Sequence, residues 1–333
     1  MPFWKKESNE EKQARLRQEE TIRALERGDI PPIAHERIMR EKSLGRNFFS
    51  SDLSTREYLL TREAGFQTVG QVMGTSFFKI GFWGMFNQFQ RSSGELQSVT
   101  HAISTARSTA IDRMRQEAKL LGASGVIGVR VQKRRHDWAS NMTEFTAFGT
   151  AIKLPNWPAG EEPFTSALNG QEFWLLYKAG YIPRSVVMGV CAYYIHMDYS
   201  TRQALYSWFS PNQEVYSFTE GYRMAAKLAN VRMQAELAGL KADGAVGVSI
   251  DPGQEFIEYE LNDVSYTDML LSYVLLGTAV SAHPEMEQKH TAPLMCLNLS
   301  TKSFSALGSS ADYDGDYWSM AGANLVDDDD FDD

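Results

Sequence analysis

Two stretches of this sequence, RMRQEAKLLGASGVIGVRV and RMQAELAGLKADGAVGVSI, match at a constant offset of 119 residues. Further matches flank them in the same order: Met73-Gly74 with Met188-Gly189 at an offset of 115, and Gly149-Thr150-Ala151 with Gly277-Thr278-Ala279 at an offset of 128. The positions of the central match used below are Arg113/Arg232, Glu117/Glu236, Gly125/Gly244 and Gly128/Gly247. Three ordered matches predict a tandem duplication of one folding unit. Because the glycines recur in both copies, we assign them to architecture rather than to catalysis.

Each copy has the sequence pattern of an α-β-α-β-β unit. A short helix that ends at a glycine precedes an apolar strand, a long helix follows, and two strands complete the unit. The apolar positions of the long helices correspond at the offset of 119: Val99, Ile103, Ala106, Ala110, Met114, Ala118 and Leu121 with Phe218, Tyr222, Ala225, Ala229, Met233, Leu237 and Leu240. Their mean spacing is close to the helical period of about 3.6 residues. We therefore predict the α+β class, with each long helix burying one face on a small sheet.

The sequence divides into five segments, and its net negative charge comes from the last of them. We predict a helical arm over residues 1–46, repeats over 47–155 and 156–284, a candidate extra strand and linker over 285–308, and a disordered acidic tail over 309–333. The net charge is −9, and nine aspartates but no lysine or arginine lie between residues 311 and 333. The rest of the chain is neutral and has no field to attract nucleic acid or an anionic membrane. No nucleic-acid partner is expected.

Composition narrows the class of protein further. Two cysteines in 333 residues cannot form a disulfide scaffold, which fits a reducing compartment. The first residues run directly into charged ones, and no apolar stretch reaches the roughly 18 residues of a membrane-spanning helix. We expect a soluble, cytoplasmic protein.

The motifs AGFQTVGQVMGTS, ARSTAIDRMRQEAKLLGASGVIGVRV and EFTAFGTAI together resemble the YbjQ-like family, often labelled putative heavy-metal-binding. The resemblance covers residues 53–153 and extends to 171–281. It implies compact α+β subunits that assemble into homo-oligomeric rings, typically pentamers, whose biochemical role is largely unknown. The second copy departs from the family core at Leu240-Lys241-Ala242. The arm sequence LERGDIPPIAHERIM is similar to the short helical oligomerisation module (SHOCT) found with such domains.

Soft metal ligands occur together in the segment VVMGVCAYYIHMDY. The family label suggests a soft transition metal, and the candidate ligands are Met188, Cys191 and His196. Alternation along a strand puts Met188 and His196 on one face and Cys191 on the other, so that they converge only at a bulge. No C-x-x-C or His-x-x-x-His zinc spacing occurs. We favour core packing and predict no cofactor, with ligands gathered around a ring axis as the alternative.

The sequence contains no recognisable catalytic motif. A nucleophile elbow, a phosphate-binding loop, a zinc-protease motif and a dinucleotide fingerprint are all missing, so we predict that the protein is not an enzyme. Each of the duplicated carboxylates, Glu117 and Glu236, follows an arginine by four residues. On a helix, this spacing predicts i,i+4 ion pairs with Arg113 and Arg232.

Aromatic residues are concentrated between the strand and the long helix in both copies. The candidate residues for an oligomer interface are Phe78, Phe82, Trp83, Phe86, Tyr193, Tyr194, Trp208 and Phe209. Aromatic residues are enriched at subunit interfaces, and Trp also concentrates at membrane surfaces. Because Lys79 and Arg91 are too few for a basic membrane face, we favour an interface between subunits.

The chain ends in an acidic peptide with one aromatic residue. Its residues are Asp327, Asp328, Asp329, Asp330, Phe331, Asp332 and Asp333. This peptide could dock in a basic groove of a protein partner or act only as a solubilising tail. The sequence thus predicts a non-enzymatic, ring-like homo-oligomeric assembly or scaffold that displays the tail. The alternative is a heavy-metal-binding or metal-sensing protein with ligands near Cys191 and His196 or on the ring axis.

Overall fold

Helices and strands alternate along the chain in the computed structural model, which describes residues 9–43, 50–79, 92–135, 142–155, 157–158, 160–206, 212–261 and 264–283. The helices of this part are α1 (Asn9–Glu26), α2 (Pro32–Ser43), α3 (Thr55–Glu63), α4 (Gln97–Leu121), α5 (Gly170–Lys178), α6 (Tyr199–Tyr206) and α7 (Tyr216–Gly239). The strands are β1 (Gln67–Lys79), β2 (Gly94–Glu95), β3 (Gly125–Arg135), β4 (Met142–Lys153), β5 (Phe164–Thr165), β6 (Tyr181–Ile195), β7 (Gly244–Leu261) and β8 (Val264–Ala282). The α+β class is confirmed.

The same order of principal elements occurs twice, as α3-β1-α4-β3-β4 and as α5-β6-α7-β7-β8. The first helix of each half begins with a capping box, Ser54 with Glu57 and Asn169 with Glu172. These reciprocal bonds satisfy N–H groups that have no partner inside the helix. A glycine in the left-handed region follows each helix, Gly65 with φ of 78° and Gly180 with φ of 82°. Local sequence signals therefore set the same helix boundaries in both halves.

Each half forms a four-stranded sheet, and each sheet receives one short strand from outside its own unit. The strand orders are β1-β4-β3-β5 in sheet 1 and β2-β6-β8-β7 in sheet 2. The three long strands of each sheet are antiparallel and equivalent, β1 to β6, β4 to β8 and β3 to β7. Strand β2 precedes α4 but pairs with β6, whereas β5 precedes α5 but pairs in parallel with β3. The two halves are thus joined by an exchange of short strands.

Helix α4 lies between the two sheets, and α7 covers the far face of sheet 2. Successive side chains of a strand point to opposite faces. Along β6, Val186, Val190, Ala192 and Tyr194 belong to the hydrophobic cluster around α4. The intervening residues Val187, Cys191, Tyr193 and Ile195 belong to the cluster around α7. The layers are therefore sheet 1, α4, sheet 2 and α7, in that order.

The apolar stripe predicted on the first long helix is confirmed, since all seven of its residues are buried in α4. On α7, Ala225, Ala229 and Met233 are buried, but Leu240, which directly follows the helix, is exposed. The difference follows from the layers, because α4 is covered by a sheet on each side. Helix α7 has a sheet on one side only within the described part of the chain.

The predicted helical arm corresponds to α1 and α2, which follow one another across a turn at Gly28. Ile38 of α2 is completely buried in the cluster around α4. The arm is therefore packed on the first half of the chain. The predicted domain boundaries stay predictions.

Several sequence predictions lie outside the described residues. They concern the candidate strand in 285–308, the tail over 309–333, and the aromatic residues Phe82, Trp83, Phe86, Trp208 and Phe209. No helix in the described ranges has the length and hydropathy needed to cross a bilayer.

Candidate functional site

The long helix of each half crosses its first strand at a glycine. A Cβ atom on Gly74 would lie 2.1 Å from the carbonyl oxygen of Ala110, and one on Gly189 would lie 2.0 Å from that of Ala229. Real Cβ atoms do not approach a backbone oxygen so closely. The repeated Met-Gly pair of the sequence therefore marks the point of closest helix–strand approach.

Polar side chains of α4 bind the backbone of β1 on both sides of this crossing. The Arg113 Nη1 donates to the carbonyl oxygen of Thr75 at 2.6 Å, and a Glu117 carboxylate oxygen accepts from the Met73 N–H at 2.9 Å. The same Glu117 carboxylate, which is 3% exposed, also accepts from the Arg37 Nη2 at 2.9 Å. The i,i+4 ion pair predicted for Arg113 and Glu117 is therefore wrong. An edge strand offers unpaired N–H and C=O groups, and these take the two side chains instead.

Helix α7 repeats this arrangement on β6. The Arg232 Nη1 donates to the Val190 carbonyl oxygen at 3.0 Å, and the Glu236 carboxylate accepts from the Met188 N–H at 2.8 Å. The pair predicted for Arg232 and Glu236 is corrected for the same reason. The repeated Arg and Glu thus join each long helix to the first strand of its half.

The first half of the chain extends sheet 2 through β2. Gly94 pairs with Tyr194 and Glu95 with Tyr193, and the Leu96 N–H donates to the Ala192 carbonyl oxygen at 2.8 Å. The Glu95 carboxylate also binds the Arg232 Nη2 at 2.6 Å. An exposed edge of sheet 2 is thereby closed by backbone pairing and a charge pair.

The second half extends sheet 1 in return through β5. Phe164 pairs with Gly125, and the Gly128 N–H donates to the Leu168 carbonyl oxygen at 2.8 Å. A Cβ atom on Gly125 would lie 2.3 Å from the Phe164 ring. Gly128 has φ of 66°, a conformation that a glycine adopts without strain. The duplicated glycines of β3 thus let the incoming segment approach.

Polar contacts also join α4 to the face of sheet 2. The buried Arg107 guanidinium lies 3.3 Å from the Asp251 carboxylate. Burial lowers the pKa of Arg107, and the charge of Asp251 opposes that shift. The Thr100 hydroxyl accepts from the Ala192 N–H at 2.9 Å. Together with β2 and β5, these contacts form what we call the repeat seam, the contact between the two halves of one chain.

The structure places the described aromatic candidates at this seam or in the core. Tyr193 and Tyr194 are buried inside the chain, one facing α7 and the other facing α4. Phe78 is partly buried against the cluster around α4. Tyr193 and Tyr194 therefore contribute to contacts within one chain and are not available on its surface.

The three candidate metal ligands do not converge within the described residues. Met188 packs with the cluster around α4, whereas Cys191 belongs to the cluster around α7. The His196 Nδ1 lies 3.2 Å from an Asp268 carboxylate oxygen. No group of three or more His, Cys, Asp or Glu residues able to hold a metal ion occurs in the ranges that the structure describes.

The environment of Cys191 also disfavours metal binding, because a metal ligand must be a thiolate. Burial raises the pKa of the Cys191 thiol to about 11, the negative charge of Glu95 adds to the shift, and Arg232 opposes it. At pH 8, roughly one such thiol in a thousand is ionised.

We expect Cys191 to resist thiol reagents in the folded protein. In a Cys296→Ser variant, which leaves Cys191 as its one thiol, Ellman's reagent at pH 8 should react at least about 100-fold more slowly than with the same variant in guanidinium chloride. Equal rates in the two conditions would contradict the burial and the pKa shift of this thiol.

A buried carboxylate at the end of sheet 2 was not predicted from the sequence. Asp268 of β8 is fully buried and accepts hydrogen bonds from the Tyr194 hydroxyl and, at 2.8 Å, from the Met197 N–H. With the contact to His196, these bonds fix the end of β6 to β8. The available signal was a single acidic residue in the apolar run DMLLSYVLLGTAV. Its role in this geometry is structural.

The second half exposes surfaces that the first half buries. Val129 of β3 is 2% exposed, whereas its equivalent Val248 of β7 is 47% exposed. A Cβ atom on Gly244 would meet nothing within 4 Å, although its equivalent Gly125 is covered by Phe164. Conversely, β1 is the outer strand of sheet 1 in the described part of the chain, whereas its equivalent β6 is covered by β2. Each end of the sheet–helix–sheet–helix stack therefore presents a surface that is covered at the repeat seam but uncovered here. At one end this surface is the outer edge of β1, and at the other it is the exposed face and edge of β7.

Comparison with known proteins gives a family match and several relatives. A family model described as "putative heavy-metal-binding", the YbjQ model, matches residues 56–155. A Mycobacterium tuberculosis protein named encapsulin nanocompartment protein Rv1762c is 36% identical over 264 residues, which cover 77% of this chain and 93% of that protein. A UPF0145 protein of Halorubrum lacusprofundi is 35% identical over 105 residues, covering 31% of this chain and 98% of its own. A UPF0145 protein of Thermotoga maritima is 40% identical over 63 residues, or 19% of this chain and 58% of its own.

The matched family segment contains α3, β1, α4, β3 and β4, together with Arg113, Glu117 and the glycines Gly125, Gly128 and Gly149. The Halorubrum relative is matched over almost its entire length, so that its sequence corresponds to about one repeat of this chain. With its long helix, its glycine-containing strands and these relatives, the chain belongs to the YbjQ family of UPF0145 proteins.

Proposed function

We propose that the protein is a non-enzymatic, ring-like homo-oligomeric assembly or scaffold protein. The observation that carries this proposal is the pair of incomplete repeat seams, the outer edge of β1 at one end and the exposed face and edge of β7 at the other. An exposed strand edge pairs readily with another chain. One end of a copy is therefore complementary to the opposite end of a second copy.

Relatives and composition support the same proposal. One relative, 36% identical, carries the name encapsulin nanocompartment protein. A large oligomer would also give the acidic tail a purpose, because many copies would be displayed on one particle. Repeated display raises the strength of binding through avidity without any new contact. The tail residues Asp327–Asp333 would then dock to a basic protein partner.

The second candidate function is heavy-metal binding or sensing, which the family description favours. The fit within one chain is poor, because Met188 and Cys191 lie on opposite faces of β6 and the Cys191 thiol is protonated at neutral pH. A soft metal would have to be held by residues gathered from several chains around a ring axis.

Native mass spectrometry with elemental analysis of the same untagged sample separates these functions. We expect a single large homo-oligomer without stoichiometric metal. A chain that ends at residue 308 should give the same subunit number but lose binding to immobilised deca-lysine. The matched variant is the full chain with the six aspartates of residues 327–333 changed to Asn, which removes their charge and keeps the length of the tail. A monomer would contradict the assembly. A whole-number content of soft metal per subunit would favour the metal-binding function over the scaffold.

A further inference from the structure

We infer that a second copy of this chain completes both ends of the stack by the same exchange of short strands that joins the two halves. This inference rests on the proposed self-assembly and specifies its interface. Residues 50–53 of one copy would extend sheet 2 of its neighbour along β7. Residues Gln213 and Glu214 of that neighbour would extend sheet 1 of the first copy along β1.

The first exchanged segment is duplicated in the sequence. Residues 50–54, SSDLS, precede α3 as residues 165–169, TSALN, precede α5, at an offset of 115. Each segment is held on the sheet of its own half by an equivalent hydrogen bond to a threonine. The Asp52 N–H donates to the Thr150 hydroxyl at 3.0 Å, and the Ala167 N–H donates to the equivalent Thr278 hydroxyl at 2.9 Å. The segment before α3 is therefore positioned as the segment that contains β5 is.

The edge of β7, which would receive this segment, has the same geometry as the edge of β3, which pairs with β5. Gly247 of β7 has φ of 61°, and Gly128 of β3, which binds the β5 segment, has φ of 66°. Both strands shift register at this glycine, β3 between Ile127 and Arg130 and β7 between Val246 and Ser249. By equivalence, Ser50 would pair with Ala245 as Thr165 pairs with Val126.

The second exchanged segment is duplicated as well. Glu95 and Glu214 correspond at the offset of 119, and one residue separates each from the long helix that follows it. The intervening residues have the same backbone conformation, with φ −93° and ψ 82° at Leu96 and φ −92° and ψ 90° at Val215. The segment Gln213–Glu214 therefore has the same direction relative to α7 as β2 has relative to α4.

The receiving edge of β1 carries the cation that this segment requires. In the repeat seam, Glu95 binds Arg232, which also holds the Val190 carbonyl oxygen. Arg113 holds the equivalent Thr75 oxygen through Nη1, and its Nη2 lies 3.5 Å from the Leu25 carbonyl oxygen. A guanidinium has five N–H donors, so that Arg113 can bind the incoming Glu214 as well. Charge complementarity at this position fixes the register of the added strand.

The sheet face beside this edge is the one that a helix would cover. Met73 and Phe77 of β1 are 49% and 56% exposed. Their equivalents on β6 are Met188, which packs with the cluster around α4, and Ala192, which is fully buried there. In the assembly, α7 of the neighbouring copy would take the place that α4 has on sheet 2. The contact joins different surfaces of the two copies, and such contacts build rings or filaments.

Disulfide cross-linking tests this interface directly. By equivalence with Gly94 and Tyr194, Gln213 of one copy would lie opposite Lys79 of the next, with Cα atoms about 5.5 Å apart, a distance that a disulfide spans. In a Cys296→Ser background, we expect oxidised Gln213→Cys/Lys79→Cys protein to form a covalent ladder above the dimer. An equal mixture of the Gln213→Cys and Lys79→Cys single variants should stop at covalent dimers. The matched control, Gln213→Cys/Arg62→Cys, keeps one cysteine and moves the other to exposed α3.

The outcomes of this experiment separate the interface from the proposed function. An oligomer of normal mass whose cross-linking does not exceed that of the control would overturn the interface and leave the assembly standing, whereas a monomer would end both. A second measurement does not depend on oxidation. Glu214→Arg should weaken self-association about tenfold or more, while Glu220→Arg, at another exposed position, should not, with circular dichroism confirming that both are folded. Equal self-association of these two variants would count against the pairing of Glu214 with Arg113.

Discussion

Replacing Gly74 by alanine is expected to destabilise the protein by about 3 kcal/mol or more, because the added methyl group would collide with backbone rather than with a movable side chain. The new Cβ atom would lie 2.1 Å from the Ala110 carbonyl oxygen. Relief of this contact requires α4 to move away from β1, which would disturb the bonds of Arg113 and Glu117 to the strand. Urea denaturation followed by circular dichroism measures the loss in the free energy of unfolding.

The matched control for Gly74→Ala is Gly239→Ala at the end of α7, where a Cβ atom would meet nothing within 4 Å. Alanine is favoured over glycine in a helix by up to about 1 kcal/mol, so this variant should be as stable as the parent or more so. If Gly74→Ala and Gly239→Ala had the same stability, the close crossing of α4 over β1 would be disproved.

Replacing Asp268 by alanine is expected to cost about 3 kcal/mol, because three hydrogen-bond donors at the end of sheet 2 lose their acceptor at once. The carboxylate is completely buried, and its donors include the Met197 N–H, the Tyr194 hydroxyl and the His196 ring. Water cannot readily replace an acceptor in a closed site, which makes the loss larger than that of an exposed hydrogen bond. Thermal unfolding gives the change as a lowered Tm.

Asp112→Ala is the control for Asp268→Ala, since Asp112 is 56% exposed and pairs with its helical neighbour Arg115. Exposed pairs of this kind contribute about 0.5 kcal/mol or less. A Tyr194→Phe variant should lie between the two, because it removes one donor to Asp268 and keeps the others. A loss for Asp268→Ala no greater than that for Asp112→Ala would show that the buried carboxylate does not hold β6 to β8.

The sequence was sufficient to predict the elements whose signals are local. The spacing of Val99, Ile103 and Ala106 marks a helical face without any knowledge of its partner, and Gly65 and Gly180 mark the ends of the short helices. The two-residue strands β2 and β5 escaped prediction because their structure comes from the sheet edge they join. A pair of residues such as Gly94-Glu95 carries no periodicity.

The candidate site shows the same division between local and tertiary signals. The spacing of Arg113 and Glu117 predicted that they pair with each other, whereas in the structure both side chains bind the backbone of β1. Sequence spacing cannot reveal that an edge strand lies alongside the helix and presents its own donors and acceptors. Strand alternation did predict that Met188 and Cys191 face apart. The burial of Tyr193 and Tyr194 depends on contacts between the halves, which composition alone does not reveal.

The connection of two sheet-and-helix units in one chain restricts the symmetry of any ring built from it. Each chain contributes two units, so a ring of whole chains always contains an even number of units. A ring with an odd number of units cannot form. Joints inside a chain would alternate with joints between chains, and only the latter can open without unfolding. Dissociation would therefore occur at every second joint and release single chains, each with one strand edge uncovered at either end. Such edges promote aggregation, so released chains would aggregate more readily than the closed ring.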